Sequence, residues 1–176
     1  MKRYANGYIS NRVLKLNVGF LLAAGPGHSH ETVFDVPAVR VSDDLDLAYI
    51  RGPVRLSRTK EGILVQEQLE VALNEECSRC LENVFTQLTI DLAELFSYPV
   101  AAGAEFSVSD DGILDLAPLI RAEVLIAISG GVLCRPDCKG LCPDCGANLN
   151  LTSCSCADEQ IDPRMAKLKE LLDASK

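Results

Sequence analysis

The sequence predicts an α+β fold: an antiparallel sheet with a packed helix, a cysteine-rich C-terminal segment and a final short helix. Three observations carry this expectation. Apolar and polar residues alternate with a period of two through much of 11–96. A run with helical spacing, Leu116, Ile120, Val124 and Ile128, comes next. Six of the eight cysteines then fall within 134–158. With 176 residues, 48% of them hydrophobic, the chain can bury one ordinary core, so a single domain over 1–176 is expected.

Leu14, Leu16 and Val18 alternate with Lys15 and Asn17 as a short strand, followed by a helical turn that Gly25-Pro26-Gly27 ends. Val33 to Val41 reads as extended, with Pro37 favouring an edge because it lacks a ladder donor. Leu45, Leu47 and Tyr49 share one parity, whereas Ile50, Val54 and Leu56 share the other. Gly52-Pro53 is therefore expected to mark a bulge or break. Ile63 to Leu73 and Val84 to Leu92 alternate as two half-buried antiparallel strands joined by a loop over 75–83. Residues 97–112 lose periodicity. A buried helix over 115–129 follows, with Asp115 as N-cap, Pro118 in its first turn and Gly130-Gly131 after it. A last helix over 162–174 is expected from Asp162, Pro163 and the stripe Met165, Leu168 and Leu172.

The cysteines come as close pairs: Cys77/Cys80, Cys134/Cys138, Cys142/Cys145 and Cys154/Cys156. Eight thiols make two four-thiolate sets, the ligand count of a closed structural Zn2+ site twice over. Two bound Zn2+, each held by four cysteines, are expected. The Cys77-Ser-Arg-Cys80 pair sits in the hairpin loop, as a zinc knuckle over 76–82. Cys142-Pro-Asp-Cys145-Gly146 has the turn chemistry of a second one. Cys142, Cys145, Cys154 and Cys156 can close locally at little entropic cost, which leaves Cys77 and Cys80 to meet Cys134 and Cys138. The crossed alternative joins Cys77/Cys80 with Cys142/Cys145.

Other uses of paired thiols fit less well. Disulfide frameworks belong to short secreted chains, and no export signal or membrane span is read here, so a cytoplasmic chain with reduced thiols is expected. Neither CxxC lies where a strand enters the helix of a βαβ unit, as a redox motif would. Cys138 to Cys145 matches the CxxxCxxC spacing of radical iron–sulfur enzymes, but only 31 residues follow Cys145 and the other pairs are left unexplained.

Formal net charge is −8, and eight ionised thiolates around two Zn2+ take it to about −12. Such a chain is repelled by bare phosphate backbone, and without tryptophan it is poorly supplied with base-stacking platforms. A basic protein partner is electrostatically easier, and neither DNA nor membrane is expected. Arg51, Arg55, Arg58 and Lys60 form the one real basic cluster: a solvated strand face in the plain reading, an RNA or partner contact in the sharper one. Arg79, Arg135 and Lys139 lie among the cysteines and are expected to offset thiolate charge and donate hydrogen bonds near sulfur. His28 and His30 read as loop residues rather than ligands.

Gly52 to Val65 and Glu76-Cys-Ser-Arg-Cys-Leu-Glu82 resemble the bacterial YceD family, the large ribosomal RNA subunit accumulation proteins. So do Cys134-Arg-Pro-Asp-Cys-Lys-Gly-Leu-Cys-Pro-Asp-Cys-Gly-Ala-Asn-Leu149, Cys154-Ser-Cys156 and Ile161-Asp-Pro-Arg164. The resemblance implies a role in making or maturing 23S rRNA and in large-subunit assembly. It implies no known reaction. No Ser–His–Asp set or phosphate loop is read in the chain, so a non-enzymatic factor is expected, bound to a large-subunit precursor through a basic ribosomal protein or assembly factor. The rival readings are an RNA-processing enzyme using carboxylates among Asp43, Asp44, Glu75 and Glu76, and a regulatory protein responsive to zinc or oxidant.

Overall fold

A computed structural model describes residues 7–156 together with Met165 and Leu171. The helix expected over 162–174 lies, those two residues apart, outside the described residues. In chain order the elements begin with strand β1 (Ile9–Ser10), a 3-10 turn (Asn11–Leu14), strand β2 (Lys15–Asn17) and helix α1 (Gly19–Ala24). Four long strands follow: β3 (Ser29–Ser42), β4 (Leu45–Arg58), β5 (Gly62–Glu76) and β6 (Asn83–Ser97). Strand β7 (Ile113–Asp115) and helix α2 (Ala117–Ile128) come next.

The expected antiparallel sheet is present, and β3 to β6 follow one another in it as a meander. The main sheet has the order β1-β3-β4-β5-β6, antiparallel throughout except for the two-residue β1, which runs parallel to β3. β2 and β7 form a separate antiparallel pair joined by the Lys15–Asp115 ion pair at 2.9 Å. β1 and β7 are too short for periodicity to reveal. β5 and β6 stay in register from Gly62↔Ser97 to Glu76↔Asn83, so the ladder carries the Cys77–Cys80 turn rigidly at its end.

One hydrophobic cluster joins the sheet to the other elements. Leu47, Ile50, Val65, Leu69 and Val71 of the sheet are fully buried with Leu14, Leu116, Ile120 and Val124. Each such side chain contributes roughly 1.5–3 kcal/mol through its removal from water. α2 packs on β6 and β3 through the expected face, with Ile128 half-buried at its end.

Two expectations need correction. β4 is continuous, and the change of inward parity does not fall at Gly52-Pro53. Phe34 and Val36 give way to Val39 and Val41 on β3, as Leu45 and Leu47 give way to Ile50 and Val54 on β4. The switch coincides with Ala38, a non-glycine residue at φ 42°, which breaks the pleat so that both paired strands change face together. At Gly52-Pro53 the pairing of β4 with β5, which runs over 49–51 and again over 55–58, is only interrupted. Second, Asp115 belongs to β7 rather than capping from outside, and the N-cap of α2 is Leu116. The Asp115 carboxylate still accepts the Ala117 N–H at 3.0 Å. Pro37 lies within β3, opposite Tyr49 of β4, and the outer side of β3 is paired only at 39–40.

Candidate metal centres

Each CxxC closes the same turn. In the first, the Cys77 N–H donates to Glu82 O (2.8 Å) and the Leu81 N–H to Cys77 O (2.9 Å). In the second, the Cys142 N–H donates to Ala147 O (2.8 Å) and the Gly146 N–H to Cys142 O (2.9 Å). The repeated pattern brings both sulfurs of a pair to one side. The first knuckle is presented by the β5–β6 ladder; the second needs no sheet, only the Leu141↔Asn148 bridge.

The thiols assemble as Cys77, Cys80, Cys134 and Cys138 in one set and Cys142, Cys145, Cys154 and Cys156 in the other, each with its sulfurs within 4.8 Å of one another. The crossed arrangement is not the one adopted. In the first set, Cys77 and Cys138 sulfurs stand 3.8 Å apart and those of Cys80 and Cys134 stand 3.6 Å apart. A tetrahedral ion with bonds near 2.3 Å to sulfur requires edges of about 3.8 Å, so the first set has the dimensions of such a site. Among the described residues, no other group of three or more potential ligand side chains comes together.

The sets differ in exposure. Cys77, Cys80 and Cys138 are buried with Val84 and Leu141 against them, whereas Cys145 is exposed and Cys154 and Cys156 are half-exposed. Backbone N–H groups point at the sulfurs. A hydrogen bond from the Cys134 backbone brings the Cys77 thiol down to about 6, while burial and its neighbouring thiols push Cys134 up to about 12. Likewise the Cys145 and Asp144 backbone brings Cys142 down to about 7, and Cys145 and Cys142 push Cys156 up to about 12. Four sulfurs this close cannot all ionise unaided, and a divalent cation among them relieves that repulsion.

Long-range contacts draw the second segment onto the first knuckle. The Ser78 N–H donates to Val132 O at 2.8 Å, the Leu141 N–H to Arg79 O at 3.0 Å and Arg79 Nη1 to Cys138 O at 2.9 Å. Gly140, at φ 77°, permits that approach: a Cβ there would lie 3.0 Å from Arg79 O. Among the described residues, neither the Arg79 nor the Arg135 side chain donates a hydrogen bond to sulfur; Arg135 reaches Asn150 and Asp137. The side-chain donor near sulfur is Asn150, whose Nδ2 lies 3.3 Å from Cys138 Sγ. Burial works against ionisation of Cys138, but the Asn150 amide and the Gly140 N–H outweigh it and lower its pKa. Sequence reading passed over Asn150; the signal was an Asn-Leu-Asn turn set between two cysteine pairs.

The basic cluster is divided. Arg51 and Arg55 are exposed on the outer face of β4, but acids stand across from them: Asp35 and Glu70 beside Arg51, Glu31 beside Arg55. Arg51 bonds Asp35 at 3.1 Å and lies 4.6 Å over the Tyr49 ring. Arg58 turns back, donating to Thr59 O (2.7 Å) and Gly62 O (3.0 Å), and so holds the β4–β5 turn; Lys60 is exposed within that turn. Of the candidate carboxylates, Asp44 is bonded by Arg121 and Ser42, which hold it well below the usual carboxylate range. The His28 ring meets Gly25 O, and His30, on β3 rather than in a loop, meets Phe20 edge-on.

A model of the family described as "Large ribosomal RNA subunit accumulation protein YceD" matches residues 65–172, which takes in both knuckles and all eight cysteines. The chain belongs to the YceD family. It is 38% identical over 135 residues to an uncharacterized protein of Mycobacterium tuberculosis, covering 73% of this chain and 61% of the relative. The match thus spans about three fifths of that relative's length. Bacillus subtilis YlbN is 30% identical over 100 residues, covering 54% of this chain and 58% of YlbN. A Zea mays protein named large ribosomal RNA subunit accumulation protein YCED homolog 1, chloroplastic, is 42% identical over 52 residues, 29% of this chain and 18% of the maize protein. No solved structure matches. No helix among the described residues is long and apolar enough to cross a membrane.

Proposed function

We propose that this chain is a non-enzymatic zinc-binding factor for the synthesis, accumulation or processing of 23S rRNA and for assembly of the large ribosomal subunit. The observation that carries the proposal is the pair of four-thiol sets within a family named for large ribosomal RNA accumulation. Each set would hold one Zn2+. Four thiolates fill the coordination shell and leave no position for a reacting water, so the metals serve structure. The first set draws on both the hairpin and the segment after α2, which supports reading the chain as one domain.

Charge indicates the partner. A chain near −12 with zinc bound would meet a large-subunit precursor in the cytoplasm through a basic ribosomal protein or another assembly factor, with RNA contact confined to Arg51, Arg55 and Lys60. Depletion should leave missing or precursor 23S rRNA with normal small-subunit RNA, and a pull-down should retain its main partner after nuclease treatment. RNA cleavage by the purified protein, lost on Glu75→Gln, would replace this reading with an enzymatic one.

A further inference from the structure

Asn150 lies between Cys145 and Cys154 in the chain, yet its carboxamide serves the other thiol set. Nδ2 donates to Cys138 Sγ (3.3 Å) and Asn148 Oδ1 (2.9 Å), while Oδ1 accepts from Lys139 N (2.8 Å) and Arg135 Nη2 (2.8 Å). Both amide hydrogens and both oxygen lone pairs are engaged, and a flipped amide would set donors against donors. The neighbouring Asn148 reaches the first knuckle in the same way, donating to Glu82 Oε1 at 3.0 Å. The Leu149 N–H donates to Gly140 O at 2.9 Å. The turn that returns the chain from Cys145 to Cys154 is thus also a wall of the Cys77/Cys80/Cys134/Cys138 set.

We propose that Asn150 is a positioning residue that couples the two metal centres. Metal in the Cys142/Cys145/Cys154/Cys156 set orders the turn over 146–153. The ordered turn presents the carboxamide to Cys138, where it holds the thiolate and the Cys134–Cys138 loop in their liganding arrangement. By linkage, metal in the first set favours metal in the second by the same factor. This coupling rests on the zinc reading above.

The test uses the full chain, reduced and metal-free, titrated with Zn2+ against a competing chelator. Cadmium NMR of the Cd2+-loaded chain assigns occupancy to each set, and circular dichroism reports the sheet. Asn150→Ala should weaken the set containing Cys138 by about 10–100-fold. Cys156→Ser should weaken that same set in the wild-type background, and much less when Asn150 is already alanine. Asn150→Asp, nearly isosteric but with an acceptor facing sulfur, should weaken it more than alanine does. A packing role alone would give the opposite order. A wild type that takes up no metal overturns the zinc reading and the coupling together. A wild type with two metals whose Asn150→Ala affinity is unchanged, or whose double variant is simply additive, overturns the coupling alone.

Discussion

Leu81 and Gly146 occupy the same place in two equivalent turns: each follows the second cysteine of a CxxC and adopts a left-handed backbone, at φ 61° and 71°. Glycine adopts that backbone freely, whereas a leucine pays about 1–2 kcal/mol for it. Leu81 is also 60% exposed, so core packing does not compensate the strain.

Leu81→Gly is therefore expected to hold stability level or raise it by up to about 1 kcal/mol, the released strain being partly offset by unfolded-state entropy. Gly146→Leu should lower it by about 1–2 kcal/mol, although nothing stands within 4 Å of a Cβ at that position. Urea midpoints of the zinc-loaded variants check both signs, and equal losses in the two would show that the turns are not equivalent.

Cys80→Ser should remove one of two metals and loosen the segment from Cys134 onward, since apparent binding energies for structural zinc are roughly 10–16 kcal/mol. Cys145→Ser should remove the other metal while leaving the β5–β6 ladder protected. Metal content and hydrogen exchange together decide the matter; two metals retained in either variant would exclude that cysteine as a ligand.

Acid should release metal, because protons compete for the thiolates. Cys145 is exposed whereas Cys77 and Cys138 are buried, so the second set should empty first as pH falls. Zinc release followed with a colorimetric chelator should show two steps in that order, and a single step would mean that the sets titrate as one.

Asp44 ties the β3–β4 turn to α2 through Arg121. Its folded pKa is depressed below the ordinary 3.8, so its contribution is fully present above that value and is lost as pH falls through the lower, folded one. Melting temperature should fall more steeply with acid below about pH 4 in the wild type than in Asp44→Asn. Parallel curves would show the ion pair to be inert.

Replacing Arg51 and Arg55 by Gln, which removes the positive charge without setting Glu against the facing Asp35, Glu70 and Glu31, should weaken association with large-subunit precursors and reduce its salt dependence, with both metals and the sheet intact. Arg58 is left out of that test because its guanidinium bonds the β4–β5 turn. Unchanged co-sedimentation would remove this face from the mechanism.

The sequence exposed those parts of the molecule whose determinants are local. Period-two runs gave β5 and β6, and CxxC spacing gave the knuckles, because each needs only neighbouring residues. The parity change was misplaced because Gly52-Pro53 is a louder signal than Ala38, an ordinary residue held at φ 42° by the paired strands. Arg58 could not be told from its neighbours because its acceptors are backbone carbonyls. Asn150 was missed for a related reason: its partner at Cys138 comes within reach only after two turns have folded against each other.

The separation of Cys80 from Cys134 by 54 positions also has a meaning in time. At about 5–20 residues per second, a ribosome making this chain would finish the hairpin knuckle roughly 3–11 s before the sulfur that stands beside Cys80. In that interval two thiols wait at the end of a growing sheet. The remaining six cysteines then emerge close together, within 134–156, so both centres would be completed almost at once.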